Sequence, residues 1–327
     1  MIQAPGLALT WIGRQGTRAV AALVVIGIAL PWLGAILKPF VAEAIFVLLC
    51  ISFLRVDAEA LRGYIRRPGL VIAATAWTSI AVPAATGIGC LLIGVDQTSP
   101  DLYLALMLQA IASPMMAAPA LAALMGLDAT LVLATLVTST ALIPFTAAAF
   151  AEIFIGPALQ VSSIALGLKL FAMLAGSALV GFTIRRIAGV AAIERHSERI
   201  NGFNIVVLFV FVGALMESVG PRFVAAPLHA AGLTLLVFVM FFLVLGLTVA
   251  LFSFAGRNRA LALGFMASQR NTGLMVAAVS GALPELTWFY FGLAQFPIYF
   301  SPQLLGPLVR RATAQPIRAA LTKEGVP

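Results

Sequence analysis

Long apolar stretches, separated by short charged segments, restrict the fold more than any other feature of the sequence. Most of them have about the twenty residues that a helix needs to cross the hydrocarbon layer of a bilayer. The ten stretches are 19–37, 39–55, 69–94, 102–125, 129–150, 162–184, 202–219, 228–254, 260–281 and 286–309. Only 10% of the 327 residues are charged, against about 25% in ordinary soluble domains. The sequence therefore predicts an all-α polytopic membrane protein with ten transmembrane helices.

Basic residues are distributed unevenly among the segments that connect these stretches. When a residue inside a stretch is counted with its nearer end, sixteen of the 20 Lys and Arg residues belong to alternate segments and three to the others, while Arg270 lies at the middle of its stretch. Because basic loops remain in the cytoplasm, this asymmetry predicts an integral inner (plasma) membrane protein with both termini cytoplasmic. The charged segment 56–67 predicts a helix on the membrane surface. Membrane lipid is thus an expected partner, whereas the absence of a contiguous basic face argues against nucleic acid.

The sequence lacks the motifs of the common enzyme classes. It contains no Cys-x-x-Cys, His-Glu-x-x-His, Gly-x-Ser-x-Gly or phosphate-loop pattern. Two Cys and two His leave little material for a metal or redox site. We therefore expect neither an enzyme nor a cofactor, and we expect any transport to be driven by a gradient or by exchange.

An internal repeat relates the two halves of the chain. A shift of 155 positions aligns the fourth stretch with the ninth, although an Ala-rich composition also produces such matches. The aligned residues are Ala112, Ser113, Ala122, Ala123 and Gly126 with Ala267, Ser268, Ala277, Ala278 and Gly281. Because five helices per half orient the halves oppositely, we predict two inverted repeats, residues 1–158 and 159–327, within one integral membrane domain.

Helix-breaking residues interrupt the fourth and ninth stretches. Pro114 and Pro119 lie in the fourth, and residues 268–273 of the ninth read Ser-Gln-Arg-Asn-Thr-Gly. Irregular backbone at membrane depth is tolerated only where it is enclosed by protein or lines a watery cavity. The pattern therefore predicts two discontinuous helices, 4 and 9, with a substrate site near the midplane.

Several segments carry motifs of a known transporter family. They are 46–69, Pro83, Pro114, the Gly-Leu-Asp-Ala turn at 126–129, Ser139-Thr140 with Pro144, and Asn271-Thr272-Gly273-Leu274. In these segments, and over nearly its whole length, the chain resembles the bile acid:sodium symporter family. The resemblance implies a ten-helix organic anion transporter with a panel of helices and a core in which discontinuous helices 4 and 9 cross.

The chain departs from that family at the positions that are expected to bind sodium. Met266 stands in place of an acidic residue, Arg270 in place of a glutamine, and Ala118-Pro119 in place of a Ser-Asn pair. The remaining possible sodium ligands are Thr135, Ser139 and Asn271. Because three neutral oxygens without a carboxylate suit a hard cation poorly, we expect altered or absent sodium coupling, with sodium or a proton as the possible coupling ion.

Arg270 allows two interpretations. A guanidinium at the centre of a span costs about 2.5 kcal/mol or more, so it must face a cavity or a partner. In the first interpretation its charge stands where the family binds sodium, holds the broken helices together and attracts an anionic substrate. In the second it is a structural cross-link to the carbonyls of a broken helix, or to Glu43, Asp128 or Glu152.

Arg270 and the polar residues near the interruptions form the candidate substrate-binding site. They are Ser113, Thr135, Ser139, Ser268, Gln269, Arg270, Asn271 and Thr272. Hydrogen bonding between helices, or to their own helix, is the alternative role of these side chains. The predicted function is a secondary active transporter of a small organic anion that works by alternating access. The alternatives are an ordinary sodium-coupled organic anion symporter and a non-transporting membrane scaffold or lipid-binding protein.

Overall fold

The protein is almost entirely helical in the computed structural model, which describes residues 3–15, 17–56, 68–156, 159, 161–279 and 283–323. The helices are α1 (Gln3–Gln15), α2 (Thr17–Ala29), α3 (Pro31–Leu54), α4 (Pro68–Leu92), α5 (Pro100–Ile111), α6 (Ala118–Leu124), α7 (Ala129–Ile155), α8 (Ser163–Ala188), α9 (Ser197–Ala225), α10 (Pro227–Leu251), α11 (Arg257–Ser268), α12 (Thr272–Val279) and α13 (Glu285–Lys323). Shorter helices at Val95–Thr98, Val190–Arg195 and Ser253–Ala255 lie between them. The surface helix predicted over 56–67 lies outside the described residues from position 57 onward.

Six helices in the described part of the chain are long and apolar enough to cross a membrane, namely α3, α4, α7, α8, α9 and α10. Their outer faces carry large apolar side chains. On α10, for example, Leu228 is 89% exposed and Leu235 is 65% exposed. A surface of this kind is unfavourable in water and ordinary in lipid. The architecture fits a membrane-embedded all-α protein, as the sequence predicts.

The two interruptions predicted from the sequence are confirmed. The stretch 102–125 forms α5 and α6 with irregular backbone between them, and 260–281 contains the end of α11 and the whole of α12. The last predicted stretch, 286–309, lies within α13. These segments are shorter or more polar than the six long helices, because proline and polar residues occupy their centres.

The turn between the first two predicted stretches lies earlier than their boundaries, 19–37 and 39–55, require. Leu30 separates α2 from α3 with non-helical angles, φ −123° and ψ 67°. Gly27 and Gly34, on either side of it, both lie against the same turn of α9, so the chain reverses direction between them. Hydropathy missed this turn because Leu30 is as apolar as its neighbours. Pro31 is favourable as the first residue of α3, because the amides of the first helical turn have no partner within the helix.

Helix α3 packs against both α8 and α9. Arg185 of α8 donates from Nη1 to the carbonyl oxygen of Leu54 at 3.1 Å, at the end of α3. Near the start of α3, Lys38 Nζ lies 2.9 Å from Glu217 Oε2, late in α9. The end of α3 therefore lies beside the end of α8, and α9 runs antiparallel to α3.

A second set of helices packs around the interrupted pairs. Helix α11 lies along α10, α13 contacts α5 and α10, and α4 contacts α5 and α7. Trp77 of α4 donates from Nε1 to Thr248 Oγ1 of α10 at 2.8 Å, which ties two of these helices together. Helix α7 also contacts α8, and it contributes to both of the apolar clusters in the described residues, with Ile143 in one and Leu131 in the other.

The close approach of α8 to α3 requires glycine at position 181. A Cβ atom there would stand 2.7 Å from the carbonyl oxygen of Cys50 and 2.9 Å from Cβ of Phe53. We expect Gly181→Val to destabilise the protein by about 1–3 kcal/mol, because backbone atoms have little room to move. Thermal unfolding in detergent measures this. The matched control is Gly232→Ala, since nothing lies within 4 Å of that Cβ position. Equal stability of the two variants would contradict the packing.

Candidate functional site

The two interrupted helices meet through their backbones. The amide of Met115 donates to the carbonyl of Gln269 at 2.8 Å, and the amide of Asn271 donates to the carbonyl of Ser113 at 2.8 Å. Pro114 and Arg270 face each other as an antiparallel bridge between these two bonds. We call this pairing of residues 113–115 with 269–271 the crossing. It satisfies backbone groups that would otherwise be unpaired at membrane depth.

Local sequence explains why each helix stops here. Pro114 has no amide hydrogen, so α5 cannot continue through it, and α5 ends at Ile111. Beyond the crossing, Asn271 Oδ1 accepts a hydrogen bond from the amide of Leu274 at 3.1 Å. Asparagine is a favourable residue at this position, where it caps the first turn of α12. Both interruptions are thus specified by a few residues rather than by loss of apolar character.

Arg270 binds the carbonyls of two helix irregularities. Its Nη1 donates to the carbonyl oxygen of Ala112 at 3.0 Å and to that of Thr78 at 3.1 Å, and the residue is only 4% exposed. Ala112 lies at the C-terminal end of α5, where the helix dipole favours a positive charge. Thr78 lies in a wide turn, Trp77–Ala81, inside α4. These contacts correspond to the second interpretation, a structural cross-link to the carbonyls of a broken helix. A direct role of Arg270 in substrate binding stays a prediction.

The polar neighbours of Arg270 bind within the protein. Gln269 donates from Nε2 to Ser301 Oγ at 2.6 Å, and Thr272 Oγ1 accepts from Gln295 Nε2 at 3.1 Å. Ser301 and Gln295 both belong to α13. Ser268 donates to the carbonyl of Phe265, within its own helix, at 2.9 Å. These contacts match the hydrogen-bonding alternative that the sequence left open for these residues.

Three other candidate residues are buried without using their hydroxyls. The side-chain oxygens of Ser113, Thr135 and Ser139 have no hydrogen-bond partner among the described residues. Thr135 and Ser139 lie one turn apart on α7, which packs against α4 and α11. No group of three or more His, Cys, Asp and Glu residues that could hold a metal ion occurs in the part of the chain that was searched. The predicted sodium ligands are therefore hydroxyls and one amide, whose Oδ1 already caps α12.

A cavity of about 550 Å³ lies beside the crossing, and we call it the large cavity. Apolar residues from α3, α6, α7 and α8 form most of its wall, and Met116 and Ala117 connect it to the irregular segment after α5. Thr140, Asn204 and Arg55 contribute polar groups. Its lining includes Ile51, Ser52, Phe53, Val56, Pro119, Ala120, Leu133, Leu136, Val137, Ala141, Pro144, Phe171, Leu174, Ala175 and Ala178. None of the eight predicted site residues is among these lining residues.

Ion pairs and a cation–π contact connect α3 and α9 to the start of α13. They lie at the end of α3 and α9 that is opposite the large cavity. Lys38 Nζ, which pairs with Glu217, also lies 4.8 Å from the ring centroid of Trp288. Arg222 Nη2 lies 2.6 Å from Glu285 Oε2. The large cavity lies toward the C-terminal end of α3, and this network lies toward its N-terminal end. The two ends of the helix pair are therefore built differently. The large cavity has a mostly apolar wall, whereas the other end has a crevice of about 390 Å³ that is lined by these ion pairs together with Ser218, Pro221, Leu283 and Trp288.

Sequence reasoning missed Arg55, Asn204 and Thr140 as cavity residues. Arg55 belongs to a cluster of basic residues, whose uneven distribution indicates membrane orientation and conceals any other role. The rest of the wall is apolar, and apolar residues in a membrane protein give no signal that separates a cavity from lipid or core. A polar residue near the end of a span, such as Asn204, was the one available signal.

Comparison with known proteins adds no assignment. No protein-family model matches the chain, and no curated protein matches it. The resemblance to the bile acid:sodium symporter family therefore rests on the motifs quoted above and on nothing further.

The cap at the crossing makes a testable contribution to stability. We expect Asn271→Ala to lower the stability by about 1 kcal/mol, because the amide of Leu274 loses its acceptor. Asn271→Ser should retain most of the stability, since serine also caps helices well. Thermal unfolding of the detergent-purified variants checks this. Equal losses in both variants would show that the amide side chain acts in another way.

Proposed function

We propose that the protein is a secondary active transporter that moves a small organic anion across the inner membrane by alternating access. The observation that carries this proposal is the crossing of two interrupted helices beside a cavity of about 550 Å³. Interrupted helices in membranes commonly mark substrate sites, since their free backbone groups must be enclosed. The cavity volume falls within the roughly 300–1,000 Å³ typical of small-molecule sites.

The hydrogen bonds of the crossing support an inverted repeat. Asn271 lies 156 positions after Met115, and Gln269 lies 156 positions after Ser113. Exchanging residues by this shift converts one of the two backbone bonds into the other, with Pro114 and Arg270 on the axis. The shift differs by one residue from the 155 positions that align the sequence. Every antiparallel bridge has this local two-fold relation, so what supports two inverted five-helix halves is that the paired segments lie at corresponding positions of the two halves.

The number of helices supports ten membrane spans. If α1 with α2, α5 with α6, and α11 with α12 each form one membrane span, the six long helices and α13 bring the number of spans to ten. Basic residues lie near the end of α3 that borders the large cavity. Arg14 Nε lies 3.0 Å from Glu198 Oε2 at the start of α9, and Arg185 donates to the carbonyl oxygen of Leu54. We infer that this end faces the cytoplasm, because basic residues favour that side.

The lining of the large cavity supports an amphipathic anion as the substrate. Apolar side chains can hold an apolar body, and the exposed guanidinium of Arg55 can pair with a carboxylate or sulfonate at the open end. The buried hydroxyl of Thr140, which has no hydrogen-bond partner in the described residues, can orient the substrate deeper in the cavity. Among the described residues that line this cavity there is no carboxylate, which disfavours a cationic substrate.

The buried charge of Arg270 supports the loss of sodium coupling. Arg270 directly precedes Asn271, one of the three possible sodium ligands, and its guanidinium is bound to the carbonyl oxygen of Ala112. A sodium ion bound next to this fixed positive charge would be repelled in a low-dielectric site. A proton gradient or substrate exchange remains as the energy source, and no nucleotide-binding motif occurs in the sequence.

Flux measurements in proteoliposomes test the proposal. We expect saturable uptake of amphipathic monoanions that continues when choline replaces sodium, with little uptake of small hydrophilic dicarboxylates. Uptake that requires sodium would favour the ordinary symporter. Absence of flux for every anion would favour a non-transporting scaffold or lipid-binding protein.

Filling the large cavity should weaken substrate binding. Ala178 lines the cavity, and Ala172 is exposed on the same helix but does not line it. We expect Ala178→Phe to weaken binding at least tenfold, which corresponds to about 1.4 kcal/mol, and Ala172→Phe to leave it unchanged. Arg55→Gln should weaken the binding of anions more than that of uncharged analogues. Isothermal titration with a transported anion measures these effects, and equal affinities in all variants would exclude this cavity as the site.

A further inference from the structure

A second, much smaller cavity lies next to Arg270. Its volume is about 20 Å³, which is enough for one small ion or water molecule, since a water needs roughly 10–15 Å³. Arg270, Gln109, Thr86 and Ser268 supply its polar groups. Its other lining residues are apolar: Val82, Leu106, Ala110, Met240, Phe241, Val244 and Ala267. We call it the small cavity.

The charge of Arg270 is not neutralised by the contacts that the structure describes. Its Nη1 binds two neutral carbonyls, and its Nη2 is buried with no hydrogen-bond partner. Among the described residues, no carboxylate forms an ion pair with it; Asp128, one candidate from the sequence, lies 3.6 Å from Arg259. A buried charge without a counter-charge is costly in a low-dielectric interior. An anion would both accept a hydrogen bond from the guanidinium and supply the missing counter-charge.

We infer that the small cavity binds one small inorganic anion, with chloride as the representative species, through the guanidinium of Arg270. The amide of Gln109 is the second donor. Tyr290 donates its hydroxyl to Gln109 Oε1 at 2.6 Å, which leaves the Nε2 donor of that amide for the anion. The hydroxyls of Thr86 and Ser268 already donate to carbonyls of their own helices.

The chemistry of the lining selects against the other occupants. A cation would meet the guanidinium and no carboxylate, so repulsion excludes it. An organic anion of the size that the large cavity accepts is too big for about 20 Å³. A water molecule fits and satisfies the donor, but it leaves the charge uncompensated. A monovalent inorganic anion satisfies the volume, the donors and the charge together.

This inference does not depend on the proposed transport activity. The bound anion would neutralise Arg270 at the point where that residue joins α4 to the end of α5. It would therefore act as a structural ion of the crossing, separate from the substrate in the large cavity. A protein that transports nothing would still need the anion.

Chloride-dependent stability tests the inference directly. A ligand that binds only the native state raises the unfolding temperature in a saturable way. We expect chloride to stabilise the detergent-purified protein relative to gluconate at constant ionic strength, and bromide to replace it. Crystals grown in bromide should show an anomalous peak in the small cavity, beside the guanidinium of Arg270.

Three variants separate a specific site from a general salt effect. Arg270→Gln should abolish the chloride dependence, and Gln109→Leu, which keeps the charge, should raise the half-saturating chloride concentration about tenfold, as expected for losing a hydrogen bond to an ion. Arg186→Gln, which removes an exposed charge at the end of α8, should leave the dependence intact. Equal unfolding temperatures in chloride and gluconate, or the same dependence in all three variants, would overturn the site. If Arg270→Gln fails to fold, Gln109→Leu and the bromide peak still decide.

Discussion

The pairing of two irregular backbone segments at membrane depth is the constraint on which the rest of the structure depends. Residues 113–115 and 269–271 leave their helices and bind each other through two backbone hydrogen bonds. In water such segments would be hydrated, but inside a bilayer each must supply the partner of the other. The guanidinium of Arg270 adds the third connection, because it holds the carbonyl at the end of α5 against the wide turn in α4.

The large cavity lies where these interrupted helices face α3 and α8. The segment after α5 contributes Met116 and Ala117 to its wall, so a movement of the crossing against α3 and α8 would change the shape of the cavity. At the other end of α3, Lys38, Glu217 and Trp288 join this set of helices to α13. The two ends of α3 therefore differ, with a mostly apolar cavity at one and a crevice lined by ion pairs at the other, and an alternating-access cycle would close one of them in each state.

Strong physical signals made part of this structure predictable. Proline and a run of polar residues located both interruptions, and Arg270 was recognisable because a charge at membrane depth needs a partner. The turn at Leu30 was missed because hydropathy does not mark a turn between apolar residues; Pro31, which disfavours helical angles at the preceding residue, was the available signal. The large cavity was invisible, because Ala178 and its neighbours have the same composition as a lipid-facing surface. The internal partners of Gln269 and Thr272 depend on the position of α13, which the sequence did not fix.

Distance measurements between spin labels at the two ends test the central claim of alternating access most directly. One pair, at Ala120 and Ala175, spans the large cavity, and the other, at Ser218 and Leu283, spans the crevice of the ion-pair network. On adding a transported anion to the protein in liposomes, the account predicts a second population in which the first distance shortens while the second lengthens. Distances that stay constant, or that shorten together, would contradict it.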